Sequence, residues 1–600
     1  MRSLLTLLAA FIVLLNCALP ASATETRESQ VEPFTSHFRV ASLPVQPTAA
    51  WEPTETTRIL ITHQRLRDDA VADDVNPTLL RDGQRFAGEV AATGILSQPP
   101  GVLFGASEAV DSDSSANDIV LALDGDAADT TSLSGAERPA ATITVDGTSG
   151  VEIRSDSLTG VFAATRAVLQ HLNAHGELPV GEHELTTAAE TRSVHIDVAR
   201  KHYSLDALKQ LLLDMSWVGM NELELHFSEN EGFRIESERY PEIATDDAYT
   251  KDEIRELIEF AADLHIRITP SLDMPGHLEH VLQQFPEYRL HAASGQAVYG
   301  ALDITNSKAR EFAFDLIDEY TELFEPGRWN LGADEFVNFN NHDQVAALTS
   351  YAQAQIGPNA TASDALTAFV NEVDLRLQEA GFSTRVWSDG MLKGEPEPVE
   401  WLNTEIEVGY WTTRPPGAAS IDRFARNGVT LLNVNDEFLY FVLGERVEYY
   451  YPSGEEILAS WSAQTFPSLQ GQPQMAAADA NVSGGMFAIW SDIPEALSDN
   501  EVVERVRMPI AATAWKLHQP NRPPSWQEFQ ARAEQVGRPE SPEFGAIEAR
   551  PLRPEATATP TSFAASESAG EGQPALLWGA GLVLGIAAVA GTLLLRRRRH

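Results

Sequence analysis

The sequence predicts an α/β protein: a (β/α)8 TIM barrel preceded by a small α+β domain, with a C-terminal stalk and transmembrane helix. Three observations carry this reading. From Ser193 onward, apolar strand patterns alternate with amphipathic helical patterns about eight times, the rhythm of a barrel of parallel strands. The fourth of these runs, Arg328–Phe336, ends in two adjacent carboxylates, Asp334 and Glu335, and the carboxyl ends of barrel strands are where this fold keeps its chemistry. Apolar segments stand at both termini, the second long enough to span a bilayer.

At 600 residues the chain is too long for one core. Its net charge of −44 argues against nucleic acid as a partner and fits a protein kept soluble by its own surface. Residues 1–23 read as a signal peptide: Arg2, a short apolar run, and the small residues Ala21-Ser-Ala23. The single cysteine, Cys17, lies inside it, and Asn16 before it argues against lipidation, so the expected mature chain has no disulfides. Polar, Pro-bearing residues 24–56 are expected to be a disordered leader.

Residues 57–190 predict the accessory α+β domain. Strand patterns recur at Arg58–Thr62, Asp118–Leu123, Ala141–Val145 and Gly150–Arg154, and Thr159–Leu172 has helical periodicity. The acidic fragments Asp111–Asp113 and Asp124–Asp126 lack the glycine and terminal acid of a calcium loop and read as solvated turns.

Residues 191–536 predict the barrel. Its strands are expected at Ser193–Val198, Glu222–Phe227, Arg267–Leu272, Trp329–Ala333, Ser383–Trp387, Glu405–Tyr410, Val429–Val434 and Gly485–Ile489. Helices are expected at Leu205–Met215, Lys251–Leu264, Ser307–Leu323, Ser363–Glu379, Ile421–Asn427 and Glu501–Lys516. Ser204 and the Thr250/Glu253 pair supply helix caps. Residues 537–574, rich in Pro, Glu, Ala, Ser and Thr, predict a flexible stalk. Ala575–Leu595 predicts a membrane helix, with the basic tail 596–600 on the cytoplasmic side. An apolar segment followed by arginines also ends cell-wall sorting signals, but no Leu-Pro-x-Thr-Gly precedes it. The expected location is thus the extracellular face of the cell membrane.

The strand ends gather one kind of chemistry: Asp197 and Arg200; His226 and Glu229; Asp273 and His277; Asp334 and Glu335; Trp387 and Asp389; Trp411; Asn435, Asp436 and Tyr440; Trp490 and Asp492. Singly these are helix caps or core aromatics. Together, carboxylates and indoles at one barrel face compose a carbohydrate pocket, where rings stack on sugar faces and carboxylates bind hydroxyls. No His-Glu-x-x-His or clustered histidine spacing points to a metal, and no cofactor is expected.

The region from about 57 to 520 resembles glycoside hydrolase family 20, the β-N-acetylhexosaminidases. Asn330-Leu-Gly-Ala-Asp-Glu-Phe336 is similar to the family's His-x-Gly-Gly-Asp-Glu. Arg192–Arg200, His226–Arg234 and Asp273-Met-Pro-Gly-His277 resemble its first three strands, and the segment ending in Gly160-Val-Phe-Ala-Ala-Thr resembles its accessory domain. This sequence departs from the pattern at Asn330, Ala333, Glu229, Asp492 and Val442, changes that look more like the branch with lacto-N-biosidases and surface-anchored hexosaminidases.

The resemblance implies a retaining exo-β-N-acetylhexosaminidase in which the substrate's own acetamide is the nucleophile. It implies Glu335 as acid and base, Asp334 orienting the acetamide, and Tyr440 bonding its oxygen. Trp387, Trp411 and Trp490 would wall the pocket, Arg192, Glu229 and Asp492 would bind substrate, and Asp273 and His277 would support the acids. A glycan or oligosaccharide is the expected partner. A lacto-N-biosidase of the same family, or a non-catalytic surface carbohydrate-binding protein, fits the same residues.

Overall fold

The computed structural model describes residues 38–40 and 49–552, apart from 65, 68–69, 125–139, 394–396, 446–448, 470, 478–479, 521–522 and 539–546. The expected signal peptide and the segment 575–600 lie outside the described residues. Among the described residues no helix is long and apolar enough to cross a membrane.

Eight parallel strands close into a barrel: β1 (Thr191–Asp197), β2 (Glu222–His226), β3 (Arg267–Ser271), β4 (Arg328–Asn330), β5 (Ser383–Trp387), β6 (Glu407–Tyr410), β7 (Thr430–Asn433) and β8 (Val482–Trp490), with β1 pairing β8 to complete the ring. Every residue of β1, β2, β5 from Thr384, and β6 is buried, as expected for strands covered by helices outside and packed side chains inside. A short strand, Tyr440–Val442, also pairs with β8. The pairing of β7 with β8 ends at Gly485, and Tyr440–Val442 takes over opposite Ala488–Trp490. This handover carries Tyr440 to the carboxyl end of the barrel.

The helical signals hold where they matter. Thr250 and Glu253 form the reciprocal capping box, and the Ser204 hydroxyl accepts from the Ala207 amide. The fourth strand is shorter than expected. It ends at Asn330, because Gly332, Ala333 and Glu335 take φ of 74°, 67° and 43°. A Cβ on Gly332 would lie 1.9 Å from Asp273 Oδ1, so glycine is required there on two counts. The two non-glycine residues are strained, at roughly 1–3 kcal/mol each.

The accessory domain is one eight-stranded mixed sheet, and its helices alternate with strands rather than following them: Arg58–His63, Pro77–Ala92, Gly101–Phe104, Ile119–Leu123. Two expectations of disorder are corrected here. Within the leader, Phe38–Val40 pairs with Gly181–Leu185, and Ala50–Trp51 pairs with Leu178–Pro179, burying Trp51. Within the stalk, Ala549–Pro551 adds a parallel edge strand beside Gly101–Phe104, and the Leu552 amide donates to Phe104 O. Backbone groups of a sheet edge bind such segments through main-chain hydrogen bonds, which leave little side-chain pattern. The last helix of the expected barrel region, Trp526–Val536, also reaches the accessory domain, where Asn173 donates to Val536 O.

Candidate active site

The carboxyl ends of β1 to β8 surround a cleft. The expected residues Glu229, His277, Asp334, Glu335, Trp387 and Trp411 line it. So do Tyr440, Trp490 and Asp492, together with Arg200, Val442 and Tyr449.

His277 is the hub. Its Nδ1 lies 2.8 Å from Glu229 Oε1, and its Nε2 lies 3.4 Å from Asp334 Oδ2 and 3.7 Å from Glu335 Oε2. Burial works against a charged imidazole, but Glu229, Asp334 and Asp273 outweigh it and hold the ring well above its ordinary value, an imidazolium at neutral pH. Glu229 is the reverse case. Burial would raise its carboxyl, yet His277, His226 and Arg200 keep it well below the usual range and therefore ionised.

Asp273 lies behind Gly332, where its Oδ1 accepts the Ala333 amide at 3.2 Å. Burial and the charge of Asp334 push its carboxyl well up. Asp273 acts from beneath the cleft and is absent from its lining. Asp334 is also raised, by burial first, with His277 opposing. It shares a carboxyl–carboxyl hydrogen bond with Asp273, and its buried Oδ1 receives no N–H among the described residues.

Glu335 keeps 57 % of its side-chain surface open. The pocket wall raises its carboxyl by desolvation, and Asp334 adds to this, while His277 and Arg200 oppose. A substrate seated over it would strip more water and strengthen the effect. Its backbone N–H donates to Asp389 Oδ2 at 3.0 Å, and the other oxygen of Asp389 accepts the Trp411 indole N–H at 3.0 Å. Asp389 thus fixes the strained acid and one aromatic wall together. Across the cleft, Trp411 lies parallel to Tyr440, with centroids 5.7 Å apart and planes within 2°. Trp387 and Trp490 form the floor, and His195 sits beneath them, 4.3 Å from the Trp490 ring.

One expected substrate residue is misplaced by the sequence reading. Arg192 is the second residue of β1, at the opposite end of the barrel from the cleft, and its guanidinium donates to the carbonyls of Gly219, Ala189 and Glu190. The arginine that faces the cleft is Arg200, bound to Asp197 Oδ2 at 2.9 Å and Glu229 Oε1 at 2.5 Å, with its guanidinium 5.8 Å over the Trp490 ring. Arg200 and Asp389 both stand at strand ends, the signal by which they were findable. Tyr449 carries no such signal, because it enters from a loop.

Asp273, His277 and Asp334 place ligand-type atoms within 4.8 Å of one another.

Comparison with known proteins agrees with this geometry. The profile of glycosyl hydrolase family 20, catalytic domain, matches residues 190–517. The chain is 28% identical over 398 residues to a lacto-N-biosidase of Bifidobacterium bifidum, covering 66% of this chain and 34% of that one. It is 24% identical over 274 residues to a beta-hexosaminidase of Emericella nidulans, covering 42% and 44%. The chain therefore spans less than half the length of either of these curated relatives. A solved chitobiase of Flavobacterium johnsoniae shares the fold, with a TM-score of 0.64 at 20% identity, over 83% of this chain and 70% of that one. The family match covers more than half of the chain, which belongs to glycosyl hydrolase family 20.

Proposed function

We propose that the protein is a retaining exo-β-N-acetylhexosaminidase that uses the acetamide of its substrate as the nucleophile. The observation that carries this is Asp334 Oδ1: a buried carboxylate oxygen that receives no N–H among the described residues, lining the cleft beside Glu335. Such an oxygen costs stability unless a ligand donor meets it, and an acetamide N–H would do so. Tyr440 would bond the acetamide oxygen and aim it at the anomeric carbon. That oxygen then forms the new C–O bond while the glycosidic bond breaks. Glu335 gives its proton to the leaving oxygen, and an oxazolinium ion results. Water attacks the anomeric carbon, Glu335 takes its proton, and the acetamide is regenerated with configuration retained. Trp387, Trp411 and Trp490 would exclude water and carry the sugar faces, and Arg200 with Asp492 would bind outer hydroxyls.

Two measurements test the scheme together. A thiazoline analogue of the oxazolinium ion should inhibit well below substrate KM. Asp334→Asn should slow hydrolysis of N-acetyl glycosides about 10–100-fold, the worth of one charge-assisted hydrogen bond. Unchanged turnover in this variant, or an inert thiazoline, would favour a two-carboxylate route.

The longer alignment with the B. bifidum lacto-N-biosidase favours a second reading, release of a disaccharide by the same chemistry. Side-by-side assay of p-nitrophenyl N-acetylglucosaminide and the lacto-N-biose glycoside separates the two. Turnover of neither would leave a carbohydrate-binding protein. Export through residues 1–23 and tethering through 575–595 belong to the proposal as well, checked by fractionating cells and tracing the protein with and without the tail.

A further inference from the structure

Three rings pack around Tyr440: Trp411, Tyr449 and Trp490, with centroids 5.7, 5.8 and 5.9 Å from its own. Two of the three are tied to one residue outside the cleft. The Asp436 amide donates to Trp411 O at 3.0 Å, and Asp436 Oδ2 accepts the Tyr449 hydroxyl at 3.3 Å. Arg414 completes the arrangement. Its Nε lies 3.2 Å from the same Asp436 oxygen, and its guanidinium lies 4.5 Å over the Tyr449 ring. Carboxylate, guanidinium and phenol thus close a triangle behind the cleft wall.

The two charges of the triangle differ in exposure. Arg414 keeps 41 % of its side-chain surface open, whereas Asp436 keeps 2 % and is absent from the cleft lining. The Thr412 side chain also hydrogen-bonds the Asp436 carboxyl. A buried acid that no substrate can touch costs desolvation, and three partners on one carboxyl offset that cost only while they hold their geometry. What that geometry fixes is the Tyr449 ring, and Tyr449 packs on Tyr440 with the planes 30° apart.

We propose that Asp436 is a positioning residue for the hydrolysis: through Tyr449 and Arg414 it holds the Tyr440 ring where its hydroxyl meets the acetamide oxygen. The inference rests on the reading of the cleft as an N-acetylhexosamine site in which Tyr440 aims the acetamide. Aim matters most as the acetamide oxygen closes on the anomeric carbon, so its loss falls on kcat rather than on KM.

The test is steady-state kinetics on p-nitrophenyl N-acetylglucosaminide or the lacto-N-biose glycoside, whichever the parent hydrolyses. Asp436→Ala should lower kcat about 10-fold and leave KM within about twofold. Asp436→Asn keeps an acceptor for the Tyr449 hydroxyl but no charge for Arg414, so it should fold as the parent does and lose less. The deciding arm is a double variant. Tyr440→Phe removes the hydroxyl that Asp436 serves, and adding Asp436→Ala to it should lower kcat by less than about twofold further. The inference is overturned if the full loss recurs in the Tyr440→Phe background, if the loss appears in KM alone, or if Asp436→Ala lowers the unfolding midpoint with kcat intact. A parent that hydrolyses neither glycoside would instead sink the reading of the cleft, and this inference with it.

Discussion

The barrel holds two clusters of buried charge, one at its waist and one at its mouth. At the waist, Arg385 bonds Glu222, Glu224 and Glu407 at 2.7, 2.5 and 2.7 Å, and Arg328 bonds Glu407. Asn330 and His195 occupy the remaining face of Glu224. Here Glu224 and Glu407 stay ionised. Burial would raise Glu224 and Glu407, yet the arginines hold both at about 2. At the mouth, among the described residues, five carboxylates (Glu229, Asp273, Asp334, Glu335 and Asp389) share His277, Arg200 and the partly buried Lys393, with His226 also beside Glu229. Burial raises Asp273, Asp334, Glu335 and Asp389, and too few cations stand by to oppose it. The same residue types therefore do opposite work. Matched charge fixes a geometry, whereas unmatched charge stores protons that can be transferred.

The comparison breaks most sharply at Glu335. Replacing the proposed acid, Glu335→Gln, should lower kcat about 10²–10⁴-fold on unactivated glycosides. In the unaltered protein the rate should fall as pH rises through the raised pKa of Glu335, because the acid must carry its proton. The variant should lose that alkaline limb, and a limb unchanged in shape would assign the proton to another group. At the waist the expected loss is one of stability. Arg385→Met removes the shared cation of three buried carboxylates, leaving Arg328 beside Glu407 and Glu222, and should cost about 3–5 kcal/mol, read as the midpoint of denaturant unfolding. The sign of the pH effect follows from the depressed carboxyls: their stabilisation is complete above the ordinary glutamate range and is lost as pH falls toward 2. The stability gap between Arg385→Met and the parent should thus narrow as pH falls toward 2.

The parts of the fold that bury side chains with a fixed period were legible in the sequence. Ser383–Trp387 and Ile421–Asn427 have the same bounds in sequence and structure, and the other barrel strands shift by a few residues. What escaped was set by backbone geometry or by long-range pairing. The run after Asn330 looks like a continuing strand because Leu331, Ala333 and Phe336 are apolar, but left-handed residues turn it into the loop that presents Asp334 and Glu335. Phe38–Val40 and Ala549–Pro551 join a sheet edge through main-chain groups, which no composition reveals. At the site, the cluster was legible because strand ends are points of known direction. Asp389 stood in that series too, but its bonds to the Glu335 amide and the Trp411 indole depend on three strands meeting.

The smallest expected effect decides between the two arginines of β1 and its following loop, which differ by eight positions in sequence and lie at opposite ends of the barrel. Arg200 touches the cleft, so Arg200→Ala should raise KM about 10–100-fold through lost charge-assisted bonds to sugar hydroxyls. Arg192 supports three carbonyls below the barrel. Arg192→Ala should leave KM unaltered and lower stability by about 1–3 kcal/mol, the cost of unpaired buried acceptors. Measuring KM and unfolding on both variants separates the roles, because both lose partners of buried groups but only Arg200→Ala should move KM. A rise in KM for Arg192→Ala at full stability would mean that substrate reaches the amino end of the strands, and the cleft built from Asp334, Glu335 and Tyr440 would no longer account for binding.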